Sequence, residues 1–282
     1  MNMITASNTE FETISRIVYD KFGIHLTDKK RTLVNSRLQS ILRKYGFTSF
    51  SQYISYIQKG EHKDALVELI NRISTNHTFF FREIQHFTFL KNYVLPDIED
   101  RNKDAHRKKF KIWCAAASSG EEPYSLMIEI LDYFGHKYSQ WDGGLLATDI
   151  SRDALDKAHR AIYAADRMKN ISPARIQKYF KKRSDGTYEV KEQAKKEVLF
   201  KILNLVTPPY PLKGDFDLIS CRNVMIYFDN PTKEALVQRL YDQLRPGGFL
   251  FTGHSESLNS LSHNFRLVQS AIYQKPPLSS NR

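Results

Sequence analysis

"FKIWCAAASSGEEPYSLMIEILDYFG", residues 110–135, passes from an apolar run through a turn of small residues into an amphipathic pattern. "FKIWCAAA" reads as a buried strand and "EEPYSLMIEILDYFG" as a helix, with Gly120 at the junction. Glycine turns at helix starts usually hold phosphates through backbone N–H groups. This one presents Glu121 and Glu122 instead, so the ligand is expected to be neutral or cationic at that end. A second short strand, "GGLLATDIS", closes on Asp149, 29 residues after Gly120. In a nucleotide-binding βαβ unit the glycine lets the ligand approach the backbone, and the acid accepts from ribose hydroxyls. "AAASSG" holds one glycine rather than GxGxxG, so packing alone accounts for it equally well.

Downstream, "RDALDKAHRAIY" reads as a helix and "FDLISCRNVMIYF" as a third apolar strand. "NPTKEALVQRLYDQL" is a helix with Pro231 in its first turn, and "RPGGFLFTGHSE" turns into another strand. Such alternation with short turns argues for a parallel, doubly wound α/β sheet, which binds ligands at the carboxyl ends of its strands. Upstream, residues 10–73 read as helices, ending at Gly23 and Gly46 where the chain must turn out. The helix expected over 28–45 carries Val34, Leu38, Ile41, Leu42 and Tyr45 on one face.

No run of eighteen apolar residues and no leader-like start are present, so neither membrane insertion nor a signal peptide is expected. Cys114 and Cys221 stand alone in separate apolar runs, which fits buried thiols in a reducing cytoplasm. The nine histidines lack ligand spacing, and no metal is expected. The net charge of +11 calls for a polyanionic partner or reflects a basic surface kept for solubility.

The segments "STNHTFFFRE", "IWCAAASSGEEPYSLMI", "ATDIS", "FDLISCRNVMIYFD" and "LRPGGFLFTGHSESL" resemble the chemotaxis receptor methyltransferase (CheR) family, in its order, from about residue 10 to 275. The resemblance implies an all-helical N-terminal domain (1–84) followed by a Rossmann-like methyltransferase domain (85–282) with a small antiparallel β-subdomain inserted at 179–202. It implies S-adenosylmethionine (SAM) as donor, S-adenosylhomocysteine as product, and receptor glutamates as methyl acceptors. By resemblance Asn76, Thr78 and Arg82 form a donor-proximal loop, Glu122 binds the donor's amino end and Asp149 its ribose. Asn204 and Leu205 match adenine contacts, while Arg222 and Asn223 match a strand-end pair beside the donor. Arg82 and Tyr227 are the catalytic candidates. Phe79 departs from the small residue the family often has there.

Other readings stay open for these residues. Asn76, Thr78 and Asp149 are also suited to helix capping, Tyr227 to core packing, Glu121 to a solvated first turn, and Arg82 with Glu83 to an exposed pair. Lys30, Arg37 and Lys44 recur every seven residues, drifting only about 20° per heptad, with Arg43 alongside. By resemblance Lys30, Arg37 and Arg43 face the acidic methylation helices of receptors; otherwise they are a solvated face. Alternation in "TYEV" and "VLFKI" around Asp185-Gly186 suggests a hairpin. Its "RSDG" turn is shorter than in family members that dock a receptor's C-terminal pentapeptide there, which argues against such a tether. A cytoplasmic monomer is expected. The same fold also serves nucleic-acid methyltransferases, whose NPPY-type tetrad is missing at "CRNVMIYF", and non-enzymatic SAM or nucleotide sensors.

Overall fold

A computed structural model describes residues 3–59, 65–73 and 77–278. Helix α1 (Asn8–Phe22) starts in a capping box between Ser7 and Glu10 and stops at Gly23, which takes φ +66°. Helix α2 (Arg31–Tyr45) buries Val34, Leu38, Ile41 and Leu42. It does not begin at 28: Asp28–Lys30 form a 3₁₀ turn, so Lys30 lies off the helical row that the heptad spacing suggested. Helices α3 (Phe50–Gln58) and α4 (Ala65–Ile73) complete the bundle. Helices α5 (Ile84–Phe89) and α6 (Leu95–Arg101), joined by a π-helical turn, then lead into the first strand.

Strand β1 (Lys108–Cys114), helix α7 (Glu121–Phe134), strand β2 (Trp141–Asp149) and helix α8 (Arg152–Arg160) follow as read from the sequence. The insertion contributes β3 (Ile162–Tyr163), α9 (Pro173–Tyr179), β4 (Phe180–Lys182), β5 (Tyr188–Val190) and α10 (Glu192–Lys195). Strands β3, β5 and β4 form a small antiparallel sheet, and β4 and β5 flank the Asp185-Gly186 turn. "VLFKI" is not the second arm of that hairpin. As β6 (Val198–Ile202) it pairs in parallel with β2 and forms an edge of the main sheet.

The rest is β7 (Phe216–Ser220), α11 (Asn230–Gln243), β8 (Leu244–Phe251), β9 (Arg266–Gln269) and β10 (Ile272–Gln274). The main sheet runs β6-β2-β1-β7-β8-β10-β9. Its first five strands are parallel, as alternation predicts, but β10 is antiparallel to both neighbours, so the sheet is mixed. The chain winds outward from β1 through β2 to β6, then returns to β1's other side as β7. Between the ends of β1 and β7 neighbouring connections diverge, and a crevice opens there.

One core cluster joins Phe11, Ile14, Leu38 and Leu42 of the bundle to Trp113, Ile219, Leu236 and Leu240 beneath the sheet. A second packs α5, α6 and α7 on the opposite face through Phe87, Ile98, Met127 and Ile130. Cys114 and Cys221 are buried and unpaired, and burial pushes both thiols up, away from reactivity. No helix among the described residues is long and apolar enough to cross a membrane.

Candidate active site

A cavity of about 230 Å³ fills the crevice. Thr78, Arg82, Glu122, Asp149, Asn204, Leu205, Arg222, Asn223, Tyr227 and Lys30 all line it. Arg37 and Arg43 do not, and Asn76 lies outside the described residues.

The apolar run "FDLISCRNVMIYF" is a strand only to Ser220. Beyond it the chain is bent by Asn223 at φ +58°, and Met225–Tyr227 form a 3₁₀ turn. What holds this bend is Glu256, whose buried carboxylate accepts N–H bonds from Asn223, Ile226 and Gly253. Burial raises the Glu256 carboxyl above its ordinary range, and these N–H bonds oppose the rise.

Arg222, whose side chain is 1% exposed, points back under the cavity. Its Nη1 lies 3.0 Å from Glu122 Oε2, and its Nη2 reaches Glu83 Oε2 at 3.2 Å and the Arg82 carbonyl. Ser220 Oγ donates to the other Glu122 oxygen at 2.5 Å. Burial alone would raise Glu83; the Arg222 guanidinium outweighs it and holds the carboxyl below the usual range. Burial likewise works against Arg222's charge, and Glu122 and Glu83 reverse that. The buried charges are therefore paired and hydrogen-bonded, as the interior requires.

Asp149 ends β2 and does not cap α8, a task that falls to Ser151. Its two oxygens accept from Ser118 N at 2.8 Å and Ser151 N at 2.9 Å. Burial pushes the carboxyl above its ordinary range while these amides pull the other way. A carboxylate has about four lone-pair sites, so accepting capacity remains for a ligand. Gly120 adopts φ +96°, and a Cβ there would meet Tyr163 Oη at 2.7 Å and Ala158 Cβ at 2.8 Å. The glycine thus serves the close approach of α7 to α8 rather than a ligand's access to the backbone. Glu121 is not solvated: it is buried and accepts from Ser119 Oγ at 2.6 Å.

Backbone strain collects at the cavity. Phe81, Glu83, Ser118 and Asn223 all take positive φ, a cost of roughly 1–3 kcal/mol each that packed surroundings must sustain. Around Arg82 this twist sends neighbouring side chains apart. Arg82 stays at the cavity with Nη1 on the His77 carbonyl at 3.0 Å, while Glu83 turns in toward Arg222. The exposed Arg82–Glu83 pair is thus replaced by a half-buried 3.9 Å contact.

The bundle supplies the cavity's outer wall through Phe22, Ile24, Leu26 and Leu33. Ile24 bridges to Phe228, and His25 N donates to the Tyr227 carbonyl at 2.8 Å. Lys30 Nζ stands 5.2 Å above the Tyr227 ring, its pKa lowered by burial. The Tyr227 hydroxyl has no hydrogen-bond partner among the described residues. Arg37 donates to the Ile73 and Arg72 carbonyls and so caps the end of α4, whereas Arg43 is exposed.

Glu83, Ser118, Ser220 and Glu256 escaped sequence reasoning, since their roles arise from strand ends far apart in the chain. Only the run "FFFRE" hinted at Glu83, because three aromatics before an acid imply a buried approach. A ligand with hydroxyl or basic N–H groups and an accepting group fits the cavity: two carboxylates retain accepting capacity, and Ser118 Oγ and Arg222 Nε are buried at its wall with hydrogen-bonding capacity unused, the latter as a donor. Glu83, His86 and His254 bring ligand-type atoms within 4.8 Å of one another, but Arg222 already engages Glu83.

Comparison with known proteins gives two family matches, the "CheR methyltransferase, all-alpha domain" over residues 9–74 and the "CheR methyltransferase, SAM binding domain" over 76–274. A chemotaxis protein methyltransferase of Borreliella burgdorferi is 40% identical over 272 residues, covering 96% of each chain. One from Escherichia coli is 36% identical over 273 residues, covering 96% of this chain and 92% of that one.

Proposed function

The chain belongs to the CheR methyltransferase family, and from that premise we propose that it methylates glutamate side chains of chemotaxis receptors with SAM as donor. The observation that carries this reading is one cavity, at the sheet's switch point, bringing Glu122 and Asp149 together with Arg82 and Tyr227. SAM supplies, when bound, a methyl group already activated on a sulfonium. Asp149 offers its remaining lone pairs to ribose hydroxyls, and Glu122 receives the amino end. Asn204 and Leu205 line the adenine side, with Thr78, Arg222 and Asn223 completing the enclosure.

An acceptor glutamate, with a reference pKa near 4.3, is already ionised at neutral pH, so no strong base is needed. The protein's task is to hold that carboxylate in line and exclude water, effects that reach ~7–11 kcal/mol in intramolecular analogues. Arg82, at the cavity with its guanidinium anchored on a carbonyl, orients the carboxylate. Tyr227 offers a hydroxyl that no group among the described residues occupies. Lys30, above its ring, and Arg43, on the open face of α2, draw acidic receptor helices toward the cavity mouth.

The reading includes a cytoplasmic monomer that uses no metal and no tether through the small sheet. The compact turn supports the last point, since Gly186 N bonds back to the Arg183 carbonyl at 3.1 Å. The test is tritiated-methyl transfer from SAM to membranes bearing the cognate receptors, followed by alkaline release of methanol. Base-labile label is expected, lost by tenfold or more in Tyr227→Phe with S-adenosylhomocysteine affinity retained. Label on nucleic acid, or none on receptors, would overturn the reading.

A further inference from the structure

Parallel strands are normally covered on both faces. The β2–β6 pair is not. One face packs inward, where Phe200 lies against Tyr124 and His159. The other carries Leu146 beside Leu199 and Thr148 beside Lys201, with Gly144 leaving the floor open. Leu199, on this face, is 57% exposed, far more than an edge strand of a parallel sheet needs to leave in water, and Ile202 at the strand's end lies at the groove's rim. With the 211–214 connection as its far wall, this face forms a groove of about 880 Å³.

The groove is cationic as well as apolar. Lys109, Lys201 and Lys213 line it and are exposed, and none has an ion-pair partner among the described residues. Its two acids are engaged, Asp142 with Arg107 at 3.0 Å and Glu197 with the Tyr138 hydroxyl at 2.8 Å. Its far end meets the active-site cavity. Leu203 lines both, and along β2 Thr148 faces the groove while the next residue, Asp149, faces the cavity.

We propose that this groove seats an acidic segment with interspersed apolar residues, belonging to the polypeptide acceptor itself, as it leads into the cavity. The occupant rests on the reading above, in which the substrate is a protein presenting carboxylates. Free lysines around an exposed leucine complement such a segment. A second copy of this chain, at net charge +11, is repelled. The lining also lacks arginine forks and exposed aromatic rings, the usual means of gripping nucleic acid.

The experiment compares wild type, Leu199→Glu with Lys201→Glu, and Lys213→Glu on the opposite wall. Methylation of receptor-bearing membranes, S-adenosylhomocysteine affinity and thermal stability are measured for each. The proposal expects KM for receptor to rise tenfold or more in both variants, with kcat, product affinity and melting temperature unchanged. Should the β6 variant lose stability, Lys213→Glu alone decides the matter. Unchanged KM beside an active wild type would overturn the groove and leave the functional reading standing. An inactive wild type would overturn that reading and the occupant with it. Sedimentation of wild type with receptor-free anionic phosphatidylglycerol vesicles, abolished in the variants, would assign the groove to lipid instead. Dimers lost in the variants would assign it to self-association.

Discussion

Glu122, in the first turn of α7, and Arg222, just beyond β7, meet in a 3.0 Å ion pair on the cavity floor. The two elements follow adjacent strands on either side of the switch point, so the pair ties together the halves of the sheet that the crevice would otherwise part.

Removing Arg222 would leave Glu122 buried with no countercharge among the described residues, and Glu83 with only the looser 3.9 Å contact to Arg82. Arg222→Met should cost about 3–5 kcal/mol, as for other broken buried pairs. Urea unfolding of the two proteins reads this directly, and a loss under 1 kcal/mol would contradict it.

Gly120→Ala adds a methyl group at φ +96°, against Tyr163 and Ala158. A destabilisation of about 1–3 kcal/mol is expected from the backbone alone. Calorimetry with S-adenosylhomocysteine should show weaker binding, because the same displacement shifts Glu122 at the helix start.

His86 is buried, and its pKa is lowered from 6.5 to about 4, first by burial and then by the nearby Arg222 charge. Between those values the unfolded chain binds a proton that the folded one refuses. Stability therefore rises with pH across that window and is lost as pH falls, by about 1.4 kcal/mol per unit for a single proton. Denaturation followed from pH 6.5 down to 4 should be shallower by about that slope in His86→Phe. Parallel curves would show that His86 titrates normally.

Arg43 is exposed and has no side-chain partner among the described residues, so Arg43→Glu should change stability by less than about 0.5 kcal/mol. Receptor methylation should nevertheless slow at low salt, with the defect shrinking as screening shortens to roughly 8 Å near physiological strength. Arg37→Ala is expected to behave differently. It removes a donor from the Ile73 and Arg72 carbonyls and should lower the melting temperature. Equal salt dependence in wild type and Arg43→Glu would remove α2 from acceptor recognition.

The strand–turn–helix at 110–135 and the alternation after it were legible because apolar period and glycine placement are local signals. Asp149 and Glu122 were legible for the same reason, each closing a strand or opening a helix. "VLFKI" was misassigned because alternation looks alike in a hairpin arm and in a half-covered edge strand; only pairing with β2 separates them. "CRNVMIYF" read as strand because hydrophobicity does not announce a bend, and the acid that bends it, Glu256, lies far along the chain. Lys30 left its expected row because three residues of 3₁₀ turn interrupt the 3.6-residue period. Glu83 was hidden by its own neighbour, since a positive φ sends adjacent side chains to different environments.

The bridge from Ile24 to Phe228, and the bond from His25 to Tyr227, fasten the helical bundle to the loop that lines the cavity. On the reading proposed above, donor and acceptor arrive from the two sides and press on a single joint. If one of them tightens it, the coupling free energy belongs to both, and by reciprocity each must raise the other's affinity by the same factor. An enzyme coupled in that way would sense its acceptor through the grip on its donor.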